Sequence, residues 1–324
     1  MRDKGHTARS FATLATALAL LLPVAGCAQQ QAPAQDQTNE ILTAPPEATT
    51  EIVDYTSVAY LGPAGTYTEE ATKLFFGNDD ELFPQETVAD ALAMVADGTA
   101  VYAVIPQENA LGGPVTDYID ALVATDGVSV VGEVVLPIRQ TLMGLPGADL
   151  AQVKTVYSHK QGLAQSDAWL NENLPNAERV EKPSTAAAAQ EVAEGKDPTV
   201  AAIAAPGAAE LYGLEVLQEN VSQSEANVTR FYVVSRTPNE RDRYDRMALV
   251  ANIEASELPA LLDELCVEGT ELVCVHDRPE GSALGTYHYV IELQRKSGFK
   301  SKEVERIKGL PQVDYLGAYS SIEG

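Results

Sequence analysis

In Asn227-Val228-Thr229-Arg230-Phe231 a hydroxyl and a guanidinium stand side by side at the mouth of an apolar strand, Phe231-Tyr232-Val233-Val234. That pairing suits chemistry on an anionic substrate, although five residues alone also fit a loop threonine and a surface arginine entering a strand. Other residues point the same way. Gly65-Thr66, Ser158-His159 and Ser184-Thr185 each open a helical stretch, with a hydroxyl residue where a cap would stand. Capping alone accounts for such hydroxyls. Several helix N-termini aimed into one cleft would also make a dicarboxylate site, because free N–H groups and the positive dipole end favour anions.

The elements that must position these residues follow an α/β pattern with a mainly parallel sheet. From Ser57 the apolar strands SVAYLG, VYAVIP, VSVVGEVVLPI, VKTVYS, VAAIAA and RFYVVSR alternate with helical stretches such as Thr66 to Phe76 and His159 to Leu174. After about Pro238 the order becomes βαββαβ, a small ferredoxin-like unit with helices over Leu258 to Val267 and Ser301 to Lys308. The expected domains are therefore residues 56–237 and 243–321, preceded by two segments of another kind.

Arg2, Lys4 and Arg9 precede an apolar run from Phe11 to Leu22 that ends at Val24-Ala25-Gly26-Cys27. This looks like a bacterial lipoprotein signal over residues 1–26, because the run is short for a bilayer span and small residues precede the cysteine. The Cys27 thiol would receive the lipid, placing the protein outside the cytoplasm on a bacterial membrane. Residues 27–55, rich in Gln, Ala, Pro and Thr, read as a disordered tether with a reach of roughly 25 to 30 Å. A net charge of −25 excludes a nucleic-acid partner, since phosphates are bound by basic patches. Cys266 and Cys274 have no CxxC spacing and no histidine cluster, so no metal is expected and two core thiols are the reading.

In order along the chain stand YLGPAGTYTEEA (60–71), PQENALGGPV (106–115), YSHKQGLAQ (157–165), STAAAA (184–189), AAIAA (201–205), AAELYGL (208–214) and NVTRF. This series resembles the prephenate dehydratase family over residues 57–236. The C-terminal unit resembles the family's ACT regulatory domain, with Arg278-Pro279 standing where the family reads ESRP. The resemblance implies a catalytic module of two α/β lobes, akin to periplasmic binding proteins, and assembly as homodimers or homotetramers partly through ACT domains. It implies conversion of prephenate, a small dicarboxylate, to phenylpyruvate with loss of carbon dioxide and water, and no cofactor.

Under that resemblance Thr229 would donate to the leaving hydroxyl, while Arg230 would stabilise the site or engage a carboxylate. Thr66, Asn109, Gln165, Ser184, Thr185, Asn227 and Phe231 would form the substrate site. A decarboxylative elimination needs no base, so His159 is a helix-start residue. Ala110 and Ala205 replace family serines, and two lost donors to substrate carboxylates would weaken an enzyme toward a solute-binding lipoprotein. Arogenate is an alternative substrate that the motifs do not separate. In the ACT-like unit Ser256-Glu257-Leu258 stands where the family has Gly-Ala-Leu. The Glu257 carboxylate speaks against phenylalanine feedback at a site around Leu258, Arg278 and Pro279, and an ACT unit that only dimerises is the alternative.

Overall fold

The computed structural model describes residues 56–324 apart from 79, 223, 225, 240–242, 268 and 283. The leader, Cys27 and the tether lie outside the described residues. The first lobe is built from β1 (Ser57–Leu61), α1 (Tyr67–Phe76), β2 (Glu81–Gln85), α2 (Val88–Asp97), β3 (Tyr102–Asn109), β4 (Gly113–Pro114), α3 (Thr116–Ala124) and β5 (Ser129–Pro137). The chain then crosses to a second lobe made of β6 (Thr141–Gly144), β7 (Thr155–Ser158), α4 (Lys160–Gln165), α5 (Asp167–Asn173), β8 (Glu178–Glu181), α6 (Thr185–Gly195), β9 (Val200–Ala204), α7 (Gly207–Tyr212) and β10 (Glu215–Gln218). It returns to the first lobe as β11 (Val228–Ser235). The C-terminal unit follows as β12 (Tyr244–Glu254), α8 (Leu258–Leu265), β13 (Glu271–Pro279), β14 (Thr286–Phe299), α9 (Ser301–Lys308) and β15 (Val313–Tyr319), and the chain closes with β16 (Ser321–Glu323).

The first-lobe sheet has the order β16-β5-β11-β3-β1-β2, with β4 on β3, and the second-lobe sheet has the order β10-β6-β9-β7-β8. Both are mixed rather than mainly parallel. β1 pairs in parallel with β2 and β3, but β11 runs antiparallel to both neighbours because it re-enters from the second lobe. β6 is likewise antiparallel to β9 and β10. The helical stretch from His159 is broken in two at Ser166, whose φ of −104° and ψ of 4° leave the α region.

Two crossing segments join the lobes and are bonded to each other. The Ile138 N–H donates to the Asn227 carbonyl at 2.7 Å, and the Val221 N–H donates to the Gln140 carbonyl at 2.7 Å. The clamp therefore has a hydrogen-bonded hinge, and the cleft opens beside it.

The C-terminal sheet has the order β13-β14-β12-β15, which with its two helices is the expected ferredoxin-like arrangement. Period two divides its residues. Met247, Leu249 and Ala251 pack with Leu261, Leu265, Val304 and Ile307 under the helices, whereas Ala248 and Val250 join Tyr118, Tyr232 and Val234 in the first lobe's core. A Cβ at Gly317 would fall 2.0 Å from the Val130 carbonyl oxygen, so glycine is what lets β15 approach β5 this closely. The tail does not stop at the unit's edge. Ser321–Glu323 adds a parallel strand to β5, which moves the end of the expected 243–321 domain into the first-lobe sheet.

Candidate active site

A cavity of about 380 Å3 lies between the lobes. Thr66, Asn109, Thr229 and Phe231 line it from the first lobe, Gln165, Ser184 and Thr185 from the second, and Gln140 from the hinge. Seven of the nine expected catalytic and substrate residues thus meet on one wall or another of the cleft. Asn227 and Arg230 do not.

The helix starts behave as caps. Thr66 Oγ1 accepts the Glu69 N–H at 3.4 Å, and Ser184 Oγ accepts the Ala187 N–H at 3.0 Å. The third cap is His159 Nδ1, which accepts the Gln161 N–H at 3.3 Å, while the hydroxyl of Ser158 is buried against the Ile203 carbonyl. The two longer helices differ as anion seats. Glu69 and Glu70 occupy the first turn of α1, and Glu69 takes the Gly65 N–H, so much of that positive end is already answered. The first turn of α6 carries no acidic residue, so the positive end beside the cleft-lining Ser184 and Thr185 is not answered there.

Asn109 sets the polarity of a chain of amides. Its Oδ1 accepts from the Leu111 N–H at 3.1 Å, the Gly112 N–H at 2.8 Å and Gln161 Nε2 at 3.2 Å. Two backbone donors admit only the oxygen there, so Nδ2 must face the other way, where it donates to Asn227 Oδ1 at 2.9 Å and Thr229 Oγ1 at 2.9 Å. Asn227 Nδ2 in turn donates to Gln165 Oε1 at 3.0 Å, which also accepts from Gln140 Nε2 at 2.8 Å. Within this amide chain the Thr229 hydroxyl proton and the Gln165 side-chain N–H pair are left to donate elsewhere.

Asn227 is 1% exposed and sits behind Asn109 and Gln165. It bonds both and does not itself line the cleft. Arg230 is a larger correction. Along β11 successive side chains alternate, so Thr229 and Phe231 face the cleft while Arg230 and Tyr232 face the C-terminal unit. There Arg230 pairs with Glu292 at 2.5 Å and Glu133 at 3.8 Å and donates from Nε to Gln107 Oε1 at 2.9 Å. Arg230 therefore engages carboxylates of the protein's own. Burial works against its charge, but Glu292 and Glu133 outweigh burial and raise its pKa above the ordinary value. Burial also raises Glu292, against the pull of Arg230. With Arg230 turned away, no lysine or arginine among the described residues lines the cavity, and Glu86 is the one carboxylate among them that does.

Arg278 is also committed, holding Asp120 of α3 through Nε at 2.8 Å and Nη2 at 2.6 Å. Leu258 is the first residue of α8, and Glu257 before it caps nothing with its side chain. Pro279 ends β13 opposite Tyr287. Neither of the two alanines in place of family serines lines the cleft: Ala110 is exposed, and Ala205 faces a small side cavity beside Glu69 and Glu70. The lost hydroxyls leave the cleft wall unchanged.

Residues 58–239 match the family model for prephenate dehydratase. The chain belongs to the prephenate dehydratase family. A prephenate dehydratase of Corynebacterium glutamicum is 38% identical over 250 residues, covering 74% of this chain and 78% of the relative. A bifunctional chorismate mutase/prephenate dehydratase of Neisseria gonorrhoeae is 36% identical over 240 residues, and the chain spans 66% of that relative. The crystal structure of a prephenate dehydratase from Arthrobacter aurescens in complex with L-Phe superposes with a TM-score of 0.73 at 34% identity, covering 82% of this chain and 90% of that one. Dehydratase relatives of this kind favour the lyase over a solute-binding clamp.

Sequence reasoning missed Gln140, Gln161 and Tyr67. Gln161 lies inside a quoted motif, but only the fold shows that it spans the cleft to Asn109. Tyr67, whose hydroxyl donates to Gln140 Oε1 at 3.2 Å, follows the first cap directly. The direction of Arg230 was available from period two along NVTRFYVVS.

Asn227→Ala should remove the link between Asn109 and Gln165 without touching a cleft wall. Steady-state kinetics should show kcat falling about tenfold to a hundredfold with a smaller change in KM, at a stability cost of about 1–3 kcal/mol. An unchanged kcat would show that the amide chain does not orient the donors.

Proposed function

We propose that the cleft binds prephenate and promotes its decarboxylative dehydration to phenylpyruvate with Thr229 as the group that meets the leaving hydroxyl. The carrying observation is the donor from Asn109 Nδ2 to Thr229 Oγ1, which turns the threonine's own proton away from Asn109 and leaves it for the substrate. As carbon dioxide departs, the ring electrons expel the C4 hydroxyl; the Thr229 O–H hydrogen-bonds to the developing hydroxide, which takes a proton from solvent and leaves as water, so Thr229 keeps its own. Aromatisation drives the reaction, so positioning and one well-placed donor suffice. The carboxylates are taken by neutral donors: the start of α6 with Ser184 and Thr185, and the Gln165 N–H groups. Phe231, 2% exposed, offers an apolar wall for the ring. No cofactor enters this scheme.

Thr229→Ala should lower kcat by about a thousandfold with KM changed far less, because the hydroxyl acts as the leaving group departs. Thr229→Ser should keep much of the rate. Phenylpyruvate formation is the readout, and equal kcat in Thr229→Ala and wild type would remove Thr229 from the mechanism.

The ferredoxin-like unit fits an ACT-like domain that assembles the chain into dimers or tetramers. β13 is an edge strand with Leu272 exposed, and Val267 and Leu284 are exposed nearby in sequence. The engaged Arg278 and the Glu257 carboxylate count against phenylalanine binding around Leu258. The leader sequence supports export and anchoring through Cys27 on a bacterial membrane, which would put the reaction outside the cytoplasm. A fatty-acid probe should label wild type, and Cys27→Ser should be unlabelled and released from membranes or left uncleaved. An unlabelled wild type would contradict the anchor.

A further inference from the structure

The face of β11 opposite the cleft meets a cluster that the dehydration does not use. Glu108, the residue before Asn109 on β3, stands against Cys274 and His276, which share one face of β13 two residues apart. One carboxylate oxygen, the Cys274 Sγ and one His276 ring nitrogen all lie within 4.8 Å of one another, and His276 Nε2 is 3.6 Å from Glu108 Oε1. We propose that Glu108, Cys274 and His276 form a divalent-metal site of the zinc class that clips the C-terminal unit to the strand orienting Thr229.

The donor set is one thiolate, one imidazole and one carboxylate, which suits zinc and its late first-row neighbours rather than calcium or magnesium. The imidazole is prepared for it. His276 Nδ1 bonds the buried Tyr118 hydroxyl, which fixes the ring and leaves Nε2 turned toward Glu108, as the outer partner of a metal-bound histidine does. Charge is a second, independent pointer. Glu108, Glu133 and Glu292 all face the single guanidinium of Arg230, and the last two are fully buried. Glu133 Oε2 is buried without a hydrogen-bond partner. The cluster is therefore short of positive charge, and a dication that releases the Cys274 proton on binding would reduce the deficit.

Arg230 does not occupy the position. Its Nη2 lies 4.0 Å from Cys274 Sγ and is held by Gln107 and Glu292, and the Cys274 thiol also bonds Glu292. Zinc bonds of about 2.0–2.3 Å require the three ligand atoms to draw together by roughly an ångström, which side-chain rotation can supply. Glu108 is 30% exposed at its side chain, so the site has an entry path and a side from which water can complete a tetrahedron. Cys266, at the C-cap of α8, is half-buried against the C-terminal core rather than within it; Cys274 is free as well, but it faces the lobe.

The test is a cobalt titration of the chelator-treated full-length protein. Cobalt(II) should produce a thiolate-to-metal charge-transfer band that saturates at one equivalent per chain and is displaced by zinc. The band should vanish in Cys274→Ala and persist in Cys266→Ala. Apparent affinity should fall at least tenfold in His276→Gln and by about tenfold in Tyr118→Phe, whose effect a purely structural tyrosine would not produce. Thr229-dependent turnover reports whether each variant is folded. A wild-type protein that shows no thiolate band, or a band unchanged in Cys274→Ala, would overturn the proposal, and the wild-type result stands even if a variant fails to fold.

Discussion

Alternation along β11 divides the cleft from the attachment of the C-terminal unit. A strand presents neighbouring side chains to opposite faces, so Thr229 and Arg230 cannot serve one site. Thr229 falls to the cleft with Phe231; Arg230 falls to the C-terminal unit with Tyr232, whose hydroxyl also bonds Glu292. One strand thus carries a cleft hydroxyl on one side and the attachment of a second domain on the other. Its neighbour β3 repeats the division, with Asn109 toward the cleft and Glu108 toward the C-terminal unit.

The consequence for binding is electrostatic. Among the described residues no lysine or arginine lines the cleft, so under the proposed reaction a dicarboxylate is held by oriented neutral dipoles, which work only if each points the right way. Backbone N–H groups of Leu111 and Gly112 fix the Asn109 amide, and that orientation passes through Asn227 to Gln165. Preorganised donors of this kind need no rearrangement as charge moves to the departing hydroxyl. The hinge contributes directly, because Asn227 and Gln140 both belong to the crossing segments. Lobe geometry and donor orientation are therefore set by the same residues.

Much of this was legible in the sequence. The caps at Thr66 and Ser184, the two-lobed module, the βαββαβ unit and the cleft position of Thr229 all follow from local patterns and ordered motifs. What was not legible depends on pairing across long separations. The antiparallel return of β11 comes from a crossing between lobes, and no local signal gives its direction. The Arg230–Glu292 pair joins residues 62 positions apart. The convergence of Glu108 with Cys274 and His276 requires β13 to pack on the first lobe, which spacing within the chain does not reveal. Arg230 itself was legible in part: period two placed it opposite Thr229, while the motif drew it into the active site.

The division of labour on β11 is tested most directly by a double-mutant cycle on Arg230 and Glu292. Arg230→Met leaves Glu292 and Glu133 buried without their cation and should cost about 3–5 kcal/mol in unfolding free energy; Glu292→Met, which leaves Arg230 with Glu133 and Glu108, should cost less, and the pair should recover part of the Arg230→Met loss. The double variant should also dehydrate prephenate with kcat and KM close to wild type, since neither residue touches the cleft. Recovery of stability without recovery of activity, with KM raised whenever Arg230 is absent, would show that the guanidinium serves the substrate after all.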